Sequence, residues 1–474
     1  MRHVIAIIGG GFSGTMVAVH LLRQQQCQVE VVLLNEGYPT GKGIAYSADQ
    51  DTFLLNVHAG RMSALPDEPN HFVEWLLQEP AYAGHTPEEL AVSFMPRQLY
   101  GRYLHQLLSQ AIARPAGKST CQVVEQRVED LRHTPGAQRP FHLRLKTGET
   151  VSADQVVLAL GNFLPAPLRC VAAAPPLPPH LYEANPWKPE AWQNLPPAPT
   201  LLLIGTGLTS IDIILALLTQ NFTGKITAVS TNGYLPFPYQ TPVPDLAFSA
   251  RVAQATTLLE VLRHFKTHLR QAEPGHWENL VNGLRSQTQD LWKRFSCADK
   301  IRFSKKLGSL WAVVRHRLPP QVHQRIQEAI AEGILEIVPG QIEAVTSHET
   351  GVQVQVKTSR GTETRWAHRV LNCTGPQLNY AAIPDPLVRS LLAQKLISPH
   401  PMGMGLETDG LYQVRQPGGS VTPGLFTLGA SLRGELWESN AVPELREQAQ
   451  ELAAHLLASF QGVFPEKGPK TQTA

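Results

Sequence analysis

The sequence predicts an α/β fold with two Rossmann-like units, the second carrying a helical insertion. Three observations predict it. The chain opens on an apolar strand, a G-x-G-x-x-G turn and an apolar helix, in that order. The same order recurs from Thr200. Each copy is followed by a strand, an alternating hairpin and a last apolar strand ending in glycine.

In the first copy Val4 to Ile8 is the strand, Gly9-Gly10-Gly11-Phe12-Ser13-Gly14 the turn, and Thr15 to Arg23 the helix. Gly9 permits the tight turn, Gly11 lets backbone approach a pyrophosphate, and Gly14 lets helix and strand pack closely. The helix N-terminus then faces the anion with unpaired N–H groups. A second strand, Val29 to Leu34, ends at Asn35-Glu36, about 20 residues past the last glycine, where an acidic residue binds ribose hydroxyls; Asn35 occupies the strand end where a carboxylate is usual, and Glu36 comes one residue later. Either residue fits that role.

In the second copy Thr200 to Ile204 is the strand and Gly205-Thr206-Gly207-Leu208-Thr209-Ser210 the turn. Ser210 stands where the third glycine is usual and slightly widens the helix–strand spacing. Ile211 to Leu218 is the helix. Lys225 to Val229 is the next strand, ending at Ser230-Thr231-Asn232-Gly233.

The half-repeats run on. Gln122 to Leu131, Phe141 to Lys146 and Asp154 to Gly161 follow the first unit; Leu335 to Val345, Val352 to Lys357 and His368 to Gly375 follow the second. Two dinucleotide units suggest FAD together with a nicotinamide nucleotide, which passes hydride to the flavin.

The 474 residues suffice for two or three cored domains. A net charge of +2 argues against a nucleic-acid partner. The five cysteines form no C-x-x-C, so neither a dithiol centre nor a metal site is expected, and a reducing cytoplasm suits them. No apolar run is long enough for a membrane span.

The expected division is residues 1–165 for the first part of the FAD-binding domain, 166–199 for a Pro-rich linker, 200–375 for the NAD(P)-binding domain, and 376–474 for the C-terminal part of the FAD-binding domain. Pro175-Pro176-Leu177-Pro178-Pro179 is the densest part of the linker. A helical insertion spans about 246–332, with Leu258, Leu259, Leu262, Phe265 and Leu269 at helical spacing. Within it, Arg315-His316-Arg317 reads as a solvated helix end rather than an anion clamp. The tail to Ala474 is expected to fray.

Three further segments belong with the flavin: Leu54 to Ala64, Phe94 to Gly101, and Gly424 to Gly429 with the stretch from Glu435 to Glu444. A glycine after a late strand, followed by a helix N-terminus, suits a flavin's pyrimidine edge. The positions expected to contact cofactors are Gly9, Gly11, Phe12, Ser13, Gly14, Asn35, Glu36, Gly161, Gly205, Gly207, Leu208, Thr209, Ser210, Gly375, Gly429, Ala441 and Val442.

GGGFSG, GIAYS (Gly43 to Ser47), LLNVHAGRMSALPDEPNHF, FMPRQLYGRYL, NPW (Asn185 to Trp187), GTGLTSID, RHRLPP, NCTGP and LWESNAVPELREQA follow one another along nearly the whole chain. In these motifs it resembles the FAD/NAD(P)-binding flavoproteins related to the nitrosuccinate-forming aspartate N-monooxygenases and, more distantly, the flavin-containing monooxygenases. The resemblance implies FAD in the first unit and NAD(P)H at the second. It implies that Asn56 stands beside the flavin as the one catalytic side chain, and that Arg97 and Tyr100 sit at the FAD edge. Relatives often carry arginine in the turn that here reads Ser230 to Gly233; its neutral Thr231-Asn232 imply a weaker preference for NADPH.

The expected function is that of an FAD-dependent, NAD(P)H-using oxidoreductase, a monooxygenase that forms a flavin C4a-oxygen adduct and oxygenates a small polar substrate such as an amine. Its partners are then that substrate and O2, with neither nucleic acid nor membrane. A flavin-dependent dehydrogenase or reductase without oxygen transfer, and a non-catalytic FAD-binding redox sensor, are the alternatives.

Overall fold

The computed structural model describes residues 2–25, 28–48, 50–172, 177–240, 243–271 and 275–460. Cys27, Pro175-Pro176 and the tail to Ala474 lie outside them. Two parallel-based sheets form the frame. The first has strand order β10-β11-β4-β1-β2-β3: β1 (His3–Ile8), β2 (Val29–Leu34), β3 (Thr120–Val124), β4 (Gln155–Leu158), β10 (Gln413–Arg415) and β11 (Val421–Thr427). The second has order β8-β7-β6-β9-β5: β5 (Tyr182–Glu183), β6 (Thr200–Ile204), β7 (Lys225–Ser230), β8 (Leu335–Pro339) and β9 (Arg369–Asn372). In each sheet the strand before the glycine turn lies between the next strand of its unit and the later apolar strand ending near glycine. A three-stranded antiparallel sheet accompanies each, from Val128–His133 to Thr150–Ala153 and from Gln341–His348 to Gly361–Ala367.

The central strands are runs of Val, Ile and Leu because both their faces are covered. β1 pairs in parallel register with β2 from His3↔Val29 to Ile8↔Leu34, and with β4 from Ile5↔Gln155. Helix α1 (Phe12–Leu22) packs against α2 (Arg97–Ala113) and α5 (Val442–Phe460). It begins at Phe12 rather than Thr15, because Gly11 is already the N-cap. β11, from near the C-terminus, pairs with β4 and extends the first sheet. The expected Pro-rich connector is not all linker: Tyr182–Glu183 pairs with β9 as the edge of the second sheet.

Helices fill the insertion from Leu246–Val252 to Pro320–Ala331. The buried face of its Leu258–Gln271 helix is offset from the expected stripe: Leu258 and Val261 are buried and Phe265 half-buried, while Leu259, Leu262 and Leu269 face outward. Phe248, Leu280 and Trp292 make the core of the insertion, and Trp437 from the C-terminal segment enters it. The insertion is thus seated on the first unit as well as joined to the second.

One short segment lies between the two units. Phe53 is buried in the core of the second with Leu203 and Ile214, whereas Leu55 is buried in the core of the first with Tyr100 and Phe72. Among the described residues no helix is long and apolar enough to cross a membrane.

Candidate active site between two dinucleotide turns

The first turn is set by backbone contacts. Gly9 has φ +111° and its N–H donates to Leu34 O at 2.8 Å; a Cβ there would lie 2.2 Å from Ala159 O. A Cβ on Gly14 would lie 1.9 Å from Gly9 O, so α1 can approach β1 only with glycine. Gly11 differs. Its missing Cβ would meet only Gly43 Cα, at 3.7 Å. As N-cap it supplies no side chain, so the first-turn N–H groups of Phe12, Ser13 and Gly14 stay available to an anion.

The second turn repeats this geometry. Gly205 has φ +113°, donates to Val229 O at 2.7 Å, and a Cβ would lie 2.6 Å from Cys373 O. Gly207 caps α3 (Leu208–Thr219) with nothing near its missing Cβ. At the third-glycine position the Ser210 hydroxyl donates to Gly205 O at 2.6 Å, bridging by hydrogen bond what Gly14 achieves by contact. Leu208 and Thr209 form the first turn of α3.

The remaining expected positions divide. The Asn35 amide holds the first turn itself: its Oδ1 accepts from Gly10 N–H at 3.1 Å and its Nδ2 donates to Tyr38 O at 2.7 Å. Glu36 points outward and pairs with Lys146 at 3.2 Å. Gly161 (φ +65°) and Gly375 (φ +88°) follow β4 and β9 with open space around them. Gly429 (φ +78°) abuts the first turn, a Cβ there lying 3.0 Å from Ser13 Oγ; its N–H is taken by Gln448 Oε1 at 3.1 Å and is not free for a ligand.

Asn56, Arg97, Leu208, Thr209, Ala441 and Val442 come together on one cleft of about 330 Å³. The first unit contributes Ala45, Tyr46 and Asn56, the second Thr209 and Asp212, the insertion Arg285 and Arg315 to Arg317, and the C-terminal segment Asn440 to Val442. The Gly43–Tyr46 helix starts against Gly11, linking the first turn to this cleft.

Three buried ion pairs build its walls. Arg97 holds Asp212 through both carboxylate oxygens, at 2.6 and 3.1 Å, and donates through Nε to Leu54 O. Arg315 Nε donates to Glu438 at 3.0 Å, and Arg317 to Glu278 at 2.6 Å. The basic cluster is therefore not the solvated helix end its local sequence suggests: distant carboxylates compensate its burial. Burial first, then Arg315, Arg433 and Arg285 opposing the pull of Glu438, pushes the His316 imidazole down to about 4, so it is neutral near pH 7. Among the described residues Arg285 makes no hydrogen bond or close ion pair; burial and neighbouring Arg315 push it down to about 10 against the longer-range pull of Glu444. Burial raises the Glu444 carboxyl, whose Oε2 is also without a hydrogen-bond partner.

Asp212, Arg285, Glu278 and Glu438 escaped sequence reasoning. Asp212 carried a signal: it is the one charge in the apolar helix LTSIDIILALLT, where a carboxylate needs a partner. No cluster of three metal-ligating side chains occurs among the described residues.

Residues 6–163 match the family model described as FAD-NAD(P)-binding. An uncharacterized protein of Mycobacterium tuberculosis is 22% identical over 411 residues, 78% of this chain and 74% of that protein. L-lysine 6-monooxygenase from Pseudomonas syringae shares the fold with a TM-score of 0.66 and 16% identity, over 96% of this chain and 99% of that one. Bacillithiol disulfide reductase from Staphylococcus aureus shares it with a TM-score of 0.55 and 11% identity, over 97% and 99%. The two Rossmann-like units are thus the fold of both oxygen-transferring and reducing enzymes.

Proposed function

We propose that the protein is an FAD-dependent monooxygenase, reduced by NAD(P)H, that oxygenates the nitrogen of a small amine. The observation that carries this reading is the single cleft lined from both dinucleotide units. FAD at the first turn and a nicotinamide nucleotide at the second supply hydride transfer and oxygen activation when bound. The residues fit both groups: Gly11 and Gly207 leave room beside open helix N-termini, where a Cβ would otherwise stand in a pyrophosphate's place.

The chain's own residues do the rest. The N–H groups opening α1 and α3 hold the two pyrophosphates. The Asn56 amide, on the cleft wall, both donates and accepts hydrogen bonds beside the flavin. The burial that chiefly keeps His316 neutral, with Arg315, Arg433 and Arg285 adding to it, also favours a substrate amine as the free base, whose lone pair is the nucleophile. Arg285 lines the cleft with no hydrogen bond or close ion pair among the described residues, feeling Glu444 only at longer range, and suits a substrate that carries a carboxylate besides the amine. The likeness to a lysine monooxygenase supports an amine substrate.

A reductase is the second reading, favoured by the shared fold of the bacillithiol disulfide reductase. None of the described cysteines lines the cleft, which argues against a dithiol route. The test is the flavin absorption spectrum with NADH or NADPH, followed by oxygen consumption with a panel of primary amines with and without carboxylates. Amine-stimulated, peroxide-free oxygen use supports the monooxygenase. Flavin reduction with no amine dependence supports the reductase.

A further inference from the structure

The Phe53 to Asn56 segment is placed in both cores and on the cleft at once: Phe53 in the second unit, Leu55 in the first, Asn56 on the wall. Its backbone is fixed from the start of α2. Arg97 N–H donates to Phe53 O at 2.8 Å, Leu55 N–H donates to Met95 O at 2.8 Å, and Arg97 Nε donates to Leu54 O at 3.0 Å. The same guanidinium spends its two remaining nitrogens on Asp212, 115 residues on in α3. Asp212 lies one helical turn beyond Leu208 and Thr209, the first-turn residues of the second dinucleotide site. Both side chains are nearly buried, at 14% and 6% exposure.

We propose that Arg97 and Asp212 are a positioning pair that sets the register between the two dinucleotide sites, so that a nicotinamide bound at α3 meets a flavin beside Asn56. This rests on the NAD(P)H-to-FAD reading above. The chemistry suits the task. A planar guanidinium with three fixed bonds allows one relative orientation of α2 and α3, whereas apolar packing tolerates sliding. A buried pair also contributes little net stability compared with apolar residues of similar size, so its presence here speaks for geometry. Arg97, expected at the FAD edge, is thus assigned to the boundary between the units.

The test compares Asp212→Asn and the double variant Arg97→Met/Asp212→Leu with the wild-type holoenzyme. Flavin content, thermal midpoint, flavin reduction by dithionite and NADP+ affinity are measured beside the saturating rate of flavin reduction by NADH or NADPH. Asp212→Asn is expected to slow nicotinamide-driven reduction at least tenfold, with flavin content, dithionite reduction and NADP+ affinity within twofold of wild type. Amide exchange at residues 53–56 rises in the same variant. The apolar double variant recovers the thermal midpoint but not the rate. If the double variant recovers rate and midpoint together, the pair only holds the fold and the proposal falls. An unchanged rate in Asp212→Asn also overturns it. A wild-type flavin that neither nucleotide reduces overturns the functional reading itself, which is a separate result.

Discussion

Glu438 accepts the Arg315 Nε–H at 3.0 Å and the Trp311 indole N–H at 2.7 Å from a backbone wound to φ +66°. A left-handed non-glycine conformation costs roughly 1–2 kcal/mol. It is maintained because the carboxylate, nearly buried, ties α4 (Gly308–Arg315) to the segment leading into α5. Glu438→Gly relieves the strain and still leaves Arg315 buried without its counter-charge. We expect a loss of about 3–5 kcal/mol by urea unfolding, and a smaller loss for Glu438→Gln, which still accepts from Trp311. A Glu438→Gly variant as stable as wild type would show the pair to be dispensable.

Three of the four glycines of the first turn should fail in two different ways. Gly14→Ala and Gly9→Ala place a methyl group within about 2 Å of backbone oxygen and should not give soluble folded protein. Gly11→Leu meets only Gly43 Cα within the protein, at an ordinary 3.7 Å from its Cβ, and a pyrophosphate outside it, so it should fold with a near-native circular dichroism spectrum and bind no flavin. Full flavin content in Gly11→Leu would refute the first turn as the FAD site.

Donor selectivity should be weak. The Ser230 to Gly233 turn carries no cation, and Asn232 Nδ2 is engaged by Ser309 Oγ at 3.0 Å. Arg315 and Arg317 cannot serve instead, being held by Glu438 and Glu278. Stopped-flow flavin reduction is expected to favour NADPH over NADH by less than about tenfold, the worth of one exposed phosphate contact. A hundredfold preference would place a cation from elsewhere at the 2′-phosphate.

Asn56→Ala should keep its flavin and its reduction rate and lose coupling. One hydrogen bond in a dry site is worth about 1–3 kcal/mol, so peroxide release per NAD(P)H oxidised should rise roughly ten- to a hundredfold. Unchanged coupling in a fully flavinated variant would make Asn56 a structural residue.

Acid should weaken the fold through His20. Its imidazole, 3% exposed in α1, is pushed down to about 4 by burial and then by Arg23. The unfolded chain binds the proton near 6.5, so its contribution is fully present above that pH and is lost as pH falls toward 4. The slope is at most about 1.4 kcal/mol per pH unit. Thermal unfolding of His20→Leu from pH 7 to 4 should show a flatter decline than wild type, and parallel curves would refute the assignment.

The sheets and both turns were legible because their determinants are local: Val-Ile-Leu runs and glycines within a few residues of one another. The cleft was less legible because its walls are set by pairs far apart in sequence. Nothing near Arg315-His316-Arg317 reveals that Glu438 and Glu278 will neutralise its flanks, and a basic triplet alone looks solvated. Asn35 shows the same limit at shorter range. It stands at the strand end where a ribose ligand is usual, but both ends of its amide are engaged by the turn. In Leu258–Gln271 the leucine spacing was real, yet the buried face follows Val261 and Phe265 instead.

The three wall pairs are shielded from water, and this bears on ionic strength. Mobile ions act over a Debye length of about 8 Å at 0.15 M salt, but only where solvent reaches the charges. Added salt should therefore leave the distances between α2 and α3, and between α4 and the start of α5, unchanged. It should still weaken the long-range pull that Arg285 exerts on an approaching anion. The walls and the approach path are separable by salt alone: a salt-dependent capture rate with a salt-independent turnover rate is the signature of a rigid, electrostatically gated pocket.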